Sequence, residues 1–396
     1  MQNIKQPKRI YAAITIAGVC TTVTLLSAFW LQRKQRLKKA KNVENLSSGH
    51  RSSLESLPKK DLEDGRKGDS ILSEEQINIF LERGVIVVPN ILTPTEVAEA
   101  RRGLHQTLKE RAGLDLKNLE ETAAGIKSLS STGGSGGVLD LFYQPWKLKV
   151  VEHPRLFKAI STLWKRTYAS GIQPNFEHPF GKFDPNKGYI YIDRVGFRVP
   201  DNISSKGSKK RGRLQRSLTP HLDCCPDRLF ESDKAVPKWR PIQAFVALTD
   251  TLEPNEGGFE CVPGFHLEFD SWRKNRPNPP KNEGDFSPLR SKEDAEVISR
   301  VCHIPIPAGA AVFWDVRLPH ANSYQNTSKI AREVIYSGFL PDVSQNQVYV
   351  QHQLSKFWKR EVPTDQWHNS KVDEHEEPIY EFSLLGKKLM MIDPWQ

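Results

Sequence analysis

From residue 188 to residue 341 the chain breaks into short apolar runs set apart by turn residues, none of them clearly separated by a crossover helix. GYIYIDRVGFRVP comes first, then a strand at His221, then RPIQAFVALTD, GGFECVPGFH, VISRVCHIPI, GAAVFWDVR and AREVIYSGFLP. Short strands at such spacing predict a sandwich or jelly roll, not a parallel sheet. The 27 Pro and 25 Gly favour turns over long helices, and 18 Phe, 9 Trp and 9 Tyr are enough for a sizeable core. Five Cys without paired spacings look like reduced, intracellular usage, and the vicinal Cys224 and Cys225 could hardly bridge each other without strain. The net charge of +10 comes from clustered basic residues, so no nucleic-acid partner is expected.

Ahead of the strands the chain changes texture twice. Residues 10–32, IYAAITIAGVCTTVTLLSAFWLQ, carry no charge and are long enough for one membrane-spanning helix, although their threonines make them only moderately apolar. Tyr11 and Trp30 stand near the ends, and the heavier basic flank, from Arg33 to Lys41, follows the span. This predicts a membrane anchor over 1–43 in a single-pass protein with its catalytic domain on the cytoplasmic side. A cleaved signal peptide and a mitochondrial membrane address are the rivals. Residues 44–70 are polar and read as a flexible linker, and 71–396 form the domain. There Ser73 with Gln76 predicts a capping box, Ile77, Phe80 and Leu81 an apolar stripe, and Gly84 the helix end. VIVVPNIL reads as a strand, Thr93 or Thr95 caps a second helix, and HPRLFKAISTLWKRTYA is a third. The glycine-rich STGGSGG lacks the Lys-Ser/Thr of a phosphate-binding loop and is read as a plain loop.

Two segments stand apart from the strands. The insertion 201–218 carries Lys206, Lys209, Lys210, Arg211, Arg213 and Arg216, a solvated loop or an anion clamp for a phosphate-bearing substrate. The C-terminal extension 343–396 is polar with scattered Trp and ends in an apolar patch expected to pack back on the domain.

Within TPHLDCCPDRLF, His221 and Asp223 are separated by one residue and share a face of an extended strand. A distal His320 completes two histidines and a carboxylate, the facial set of non-haem Fe(II) oxygenases. A three-ligand shell leaves an octahedral ion about three open sites, two for a chelating 2-oxo acid and one for O2. Arg332, twelve residues past His320, offers a planar fork for the far carboxylate of such an acid. Arg317 is a rival anion partner. Asn326 and Ser323 are helpers, Tyr191, Arg194 and Arg198 lie on a strand that could line the pocket, and Gln243 begins a strand beside it. Trp314 is assigned to the core. A zinc site with Cys224, Cys225 and His221 would want a second Cys/His pair at short spacing, which Cys261 and Cys302 do not provide.

The helix-strand-helix opening LSEEQINIFLERGVIVVPNILTPTEVAEAR, the His-x-Asp, QAFVALTDTLEPNEGGFECVPGFH and GAAVFWDVRLPHANSYQNTSKIAREVIYSGF together resemble the phytanoyl-CoA dioxygenase family. Phe265 stands where that family's Pro-Gly-Ser-His motif has serine. The resemblance runs from about residue 72 to 340 and leaves out the apolar span, the basic insertion and the tail. It implies a mainly β, double-stranded β-helix (jelly-roll, cupin-like) fold with an N-terminal helical module. It further implies Fe(II) on His221, Asp223 and His320, with 2-oxoglutarate on Arg332, Asn326, Ser323, Tyr191 and Gln243. O2 is then consumed, succinate and CO2 are released, and ascorbate serves as activator. An intact carboxylate points to hydroxylation. The expected substrate is a small, lipophilic or acyl-type molecule, a lipid or CoA conjugate included. Two alternatives stay open: a catalytically silent β-helix scaffold at a membrane, and a metal-dependent isomerase or epimerase that has no need of Arg332.

Overall fold

Runs such as VIVV are apolar at every position because both faces of the strand they form are covered. The computed structural model describes residues 71–206, 214–231, 236–276, 285–363 and 378–396. Its strands are β1 (Val85–Val88), β2 (Val138–Leu139), β3 (Gly188–Arg198), β4 (His221–Leu222), β5 (Ile242–Ala247), β6 (Phe259–Cys261), β7 (Ser287–Pro288), β8 (Cys302–His303), β9 (Ala311–Asp315), β10 (His320–Asn322) and β11 (Arg332–Pro341). A six-stranded sheet runs β1-β9-β5-β11-β3-β2 and a five-stranded one β7-β4-β10-β6-β8. Every pairing between these strands is antiparallel. Mainly β with flanking helices, this is a jelly-roll-like arrangement.

Alternation along the large sheet sorts its side chains between two cores. Val85, Val87, Phe245, Ala247, Val312, Trp314 and Val334 pack with Leu222, Phe259, Cys261 and Val262 of the small sheet. Their neighbours Ile86, Val88, Ala244, Val246, Ala311, Phe313 and Ile335 face the other way, under the helices. Those helices begin with α1 (Glu74–Arg83), which has the expected Ser73–Gln76 capping box and ends at Gly84 with φ of 68°. A Cβ there would lie 2.5 Å from the His266 imidazole, so the position needs glycine twice over. The cap of α2 (Pro94–Ala112) is Thr93, not Thr95, in a second capping box with Glu96. α3 (Pro145–Val151) and α4 (Pro154–Arg166) complete the cover.

Several expectations change. VIVVPNIL is extended only to Val88, because Pro89 and the left-handed Asn90 (φ 56°) turn the chain. In VISRVCHIPI the first half closes a short helix, Ala295–Ser299, and only Cys302–His303 is strand. The polar tail contains α5 (Ser344–Trp358), whose buried stripe is Asn346, Tyr349, Val350, Gln353 and Phe357. That spacing is helical, but two of the five positions are amides. Gln353 accepts from Ile192 N at 2.9 Å and donates to Ile190 O at 2.8 Å, while Asn346 bridges Trp239 and Pro341 backbone groups. Buried amides that serve backbone groups read as surface in a hydropathy pattern. Phe382, Leu389 and Met390, further along the tail, join the helix-side core.

The membrane reading is corrected. Residues 10–32, like the linker 44–70, lie outside the described residues. Among the described residues no helix is long and apolar enough to cross a membrane. The longest, α2, carries charges in nearly every turn and buries one face against the domain. The single-pass, cytoplasmic-side address and its mitochondrial variant are therefore withdrawn. Most of the basic insertion, 207–213, is likewise outside the described residues. Its ends are a short helix, Asp201–Lys206, and Arg216, which donates to the Ser135 hydroxyl at 2.9 Å.

Candidate metal centre

The two sheets bring together what the sequence keeps far apart. His320 of β10 is the direct cross-strand partner of His221 of β4, and their rings lie 4.4 Å apart. Asp223, just past β4, reaches both: one carboxylate oxygen is 3.5 Å from His221 Nε2 and the other 3.5 Å from His320 Nε2. One donor atom from each of the three lies within 4.8 Å of the others, and they form the candidate metal cluster among the described residues. The ring orientation is set from behind. His221 Nδ1 donates to Thr219 O at 2.8 Å and His320 Nδ1 to Leu318 O at 3.0 Å, so both Nε2 lone pairs turn toward Asp223.

Charge suits the same role. Burial and the neighbouring His320 push His221 down to about 4, against the pull of Asp223, so its imidazole is neutral at ordinary pH. Burial works to raise the Asp223 carboxyl, but the neighbouring His320, His221 and Arg240 hold it well below the usual carboxylate range. Two imidazoles and one carboxylate are a donor set for a divalent first-row metal. Cys224 and Cys225 are buried and outside the cluster, and burial pushes the Cys224 thiol well up, which disfavours the zinc alternative.

Around the triad lies a cavity of about 1270 Å3, lined among others by Gln243, Phe245, Phe259, Trp314, Arg332 and Tyr336. Gln243, second residue of β5, donates from Nε2 to Asp223 at 2.8 Å, and its Oε1 has no partner among the described residues. Arg332, at the start of β11, is 3% exposed, with its guanidinium over the Phe245 ring at 5.2 Å and Nη1 without a hydrogen-bond partner among the described residues. A buried cation in that condition is costly unless an anion joins it.

Two of the other candidate arginines are spoken for. Arg317 grips Asp315 at 2.7 and 2.8 Å and also donates to Tyr168 and to Asn175 O, so it is a core ion pair. Arg198, directly across from Arg332 in the ladder, is spent on the carbonyls of Ser323 and Tyr324 and on Asp201. Asn326 donates to Arg198 O at 3.0 Å, and neither it nor Ser323 lines the cavity. Both support the strand crossing beside the site. Tyr191 does line it, beneath Arg240 at 4.3 Å. Asp193 and Arg240, also in the wall, carry no sequence signal of their own, since neither stands at a motif spacing.

Fold and site thus define a jelly-roll-like protein with a His/Asp/His cluster of metal-ligating geometry in a half-open cavity. Residues 228–334 match the model of the family described as Phytanoyl-CoA dioxygenase (PhyH), so the resemblance to that family holds. The match takes in His320 and Arg332 and begins just after Asp223. No curated protein matches the chain. Among solved structures, GlcNAc Inducible Gene 2 of Candida albicans is similar at TM-score 0.62 and 15% identity, over 83% of this chain and 78% of that one. A putative oxidoreductase from Salmonella typhimurium LT2 aligns at TM-score 0.61 and 14% identity, over 81% and 82% of the two chains. The hypothetical protein JW0805 of Escherichia coli aligns at TM-score 0.60 and 14% identity, over 99% of each. At such identities the likeness concerns the fold alone. The family match and the donor set together support a dioxygenase-type activity on a small molecule.

Proposed function

We propose that this chain is an Fe(II)- and 2-oxoglutarate-dependent dioxygenase that oxidises a C–H bond of a small molecule. One observation carries the reading. His221, Asp223 and His320 converge beside Arg332, a buried guanidinium with an unpartnered N–H in the same cavity. A dicarboxylate that chelates a metal at one end needs a fixed cation at the other, and in this reading Arg332 is that cation.

In this reading the three donors hold iron, which when bound couples oxidation of the substrate to conversion of 2-oxoglutarate into succinate and CO2. The protein contributes position and dryness. Thr219 and Leu318 carbonyls aim the imidazoles, Gln243 holds the Asp223 carboxylate, and Arg332 takes the distal carboxylate of 2-oxoglutarate. Phe245, Phe259 and Trp314 form an apolar wall that keeps water from the reacting centre.

The test is succinate formation by the full chain with Fe(II), ascorbate and 2-oxoglutarate, alongside metal-dependent binding of 2-oxoglutarate by calorimetry. His221→Ala should abolish both, and Arg332→Ala should abolish binding of 2-oxoglutarate while sparing the metal. A wild-type protein that neither binds 2-oxoglutarate with metal nor turns it over would refute the reading.

A further inference from the structure

The register of the small sheet lines up a row that no motif spacing shows. His221 of β4 pairs with His320 of β10, His320 with Cys261 of β6, and Cys261 with Cys302 of β8. Directly paired residues of antiparallel strands present their side chains on one face. Two thiols therefore continue the row of the two histidines, the first of them one strand away from His320. Both are free, Cys261 buried within the small-sheet core and Cys302 partly exposed at the outer end of the row. Cys224 is engaged elsewhere, with its Sγ donating to the Val316 carbonyl at 3.7 Å.

The pairing suits a disulfide. Ile304 N donates to Phe259 O at 3.0 Å, which makes Phe259 and Ile304 a hydrogen-bonded pair. Cys261 and Cys302, two residues along the same ladder, are a pair of the same kind, with Cα atoms about 5.5 Å apart. That is an ordinary Cα span for a disulfide. Opposed strand residues hold their Cβ atoms roughly 4.5–5.5 Å apart and a disulfide about 3.8 Å, so closing the bond draws the strands together by about 1 Å. Neither strand is free to take up the whole movement. Thr251 and Ile306 exchange backbone hydrogen bonds at 2.9 and 3.1 Å beyond β8. β6 is tied to β10 on both sides of the row, by Val262 N to Pro319 O at 3.0 Å and Ser323 N to Gly258 O at 2.7 Å. The pull is shared and reaches β10, whose ligand has to stay within roughly 0.5 Å of its working position.

We propose that Cys261 and Cys302 are a reversible dithiol–disulfide pair, and that closing it weakens the metal centre through His320. The Cys302 thiolate attacks a small-molecule disulfide such as oxidised glutathione, and one glutathione thiolate leaves. The Cys261 thiolate then attacks the mixed disulfide, and the second glutathione leaves. The two cysteines are oxidised, the glutathione disulfide is reduced to two thiols, and the cysteine protons pass to those. Burial pushes the Cys302 thiol up to about 11, so exchange is slow at neutral pH and the equilibrium is the quantity to read. The effect on metal rests on the dioxygenase reading; the disulfide does not.

Full-length protein is equilibrated with oxidised glutathione at mildly alkaline pH, and its disulfides are mapped by peptide mass. Cys261 should be found joined to Cys302, and dithiothreitol should reverse the bond. The oxidised protein should bind Mn(II) about tenfold more weakly than the reduced one, the size expected when the support of a metal ligand is disturbed. Cys302→Ser should keep the reduced affinity under both conditions. Thiols that stay free, a disulfide between other cysteines, or a Cys261–Cys302 bond that leaves Mn(II) affinity unchanged would each overturn the proposal. Reduced wild type that binds no Mn(II) would sink the dioxygenase reading and the coupling with it, while the peptide masses still decide the disulfide.

Discussion

Gln243 offers a direct check of how the metal centre is held. Its Nε2 donates to Asp223 at 2.8 Å, while its own side chain is 2% exposed and so cannot easily swing away. Gln243→Leu keeps the volume and removes the donor, leaving that carboxylate oxygen with only His320 Nε2 at 3.5 Å. A hydrogen bond to a charged group contributes about 1.5–3 kcal/mol. If it is spent on orienting a metal ligand, its loss should weaken metal affinity roughly ten- to a hundredfold, the usual range for a group that positions a ligand. The assay is calorimetric titration of metal-free protein with Mn(II) or Co(II), with melting temperature as the control for folding and Asp223→Asn as the severe comparison. Gln243→Leu that binds as tightly as wild type, while Asp223→Asn does not, would refute the orienting role. Unchanged binding in both would refute the site.

Other outcomes follow from single contacts. Arg332→Met should raise the dissociation constant of 2-oxoglutarate at least roughly tenfold, through loss of its charge-assisted bonds, with metal affinity unchanged in the same titration. Burial pushes Lys147 down to about 7 from an ordinary value of 10.5. Between those pH values the unfolded chain holds a proton that the folded chain has released, so stability rises with pH across that window, by at most about 1.4 kcal/mol per unit. Urea midpoints from pH 7 to about 9 should climb in wild type and lose that component of the slope in Lys147→Met. Gln353→Leu would leave Ile190 O and Ile192 N of β3 without their partners and should cost about 2–6 kcal/mol in urea unfolding, at roughly 1–3 kcal/mol for each orphaned group. A loss under about 0.5 kcal/mol, the size of an ordinary surface substitution, would mean that α5 does not support the sheet.

Local signals in the chain already specify much of this protein. Capping boxes at Ser73 and Thr93, the glycine stop at Gly84 and the alternating runs of β3, β5, β9 and β11 need only neighbours in sequence, and they were legible there. So was the grouping of His221, Asp223 and His320, because His-x-Asp with a distal His is a pattern that metal chemistry uses. Helix α5 was not legible, because its core positions include Asn346 and Gln353, whose burial makes sense only once the backbone groups they serve are in place. Nor could spacing sort the arginines. Arg317, Arg198, Arg194 and Arg332 are alike as residues; what separates them is which carboxylates and carbonyls the folded sheets bring to each. Asp315 neutralises the first, two carbonyls and Asp201 occupy the second, and the third lies 3.8 Å from Asp193 at a one-residue slip in the ladder. Backbone propensity and ligand chemistry act over a few residues and can be read along the chain. What surrounds a buried arginine, such as the Ser323 and Tyr324 carbonyls that hold Arg198 from more than a hundred residues away, depends on contacts between strands, and only the tertiary structure decides it.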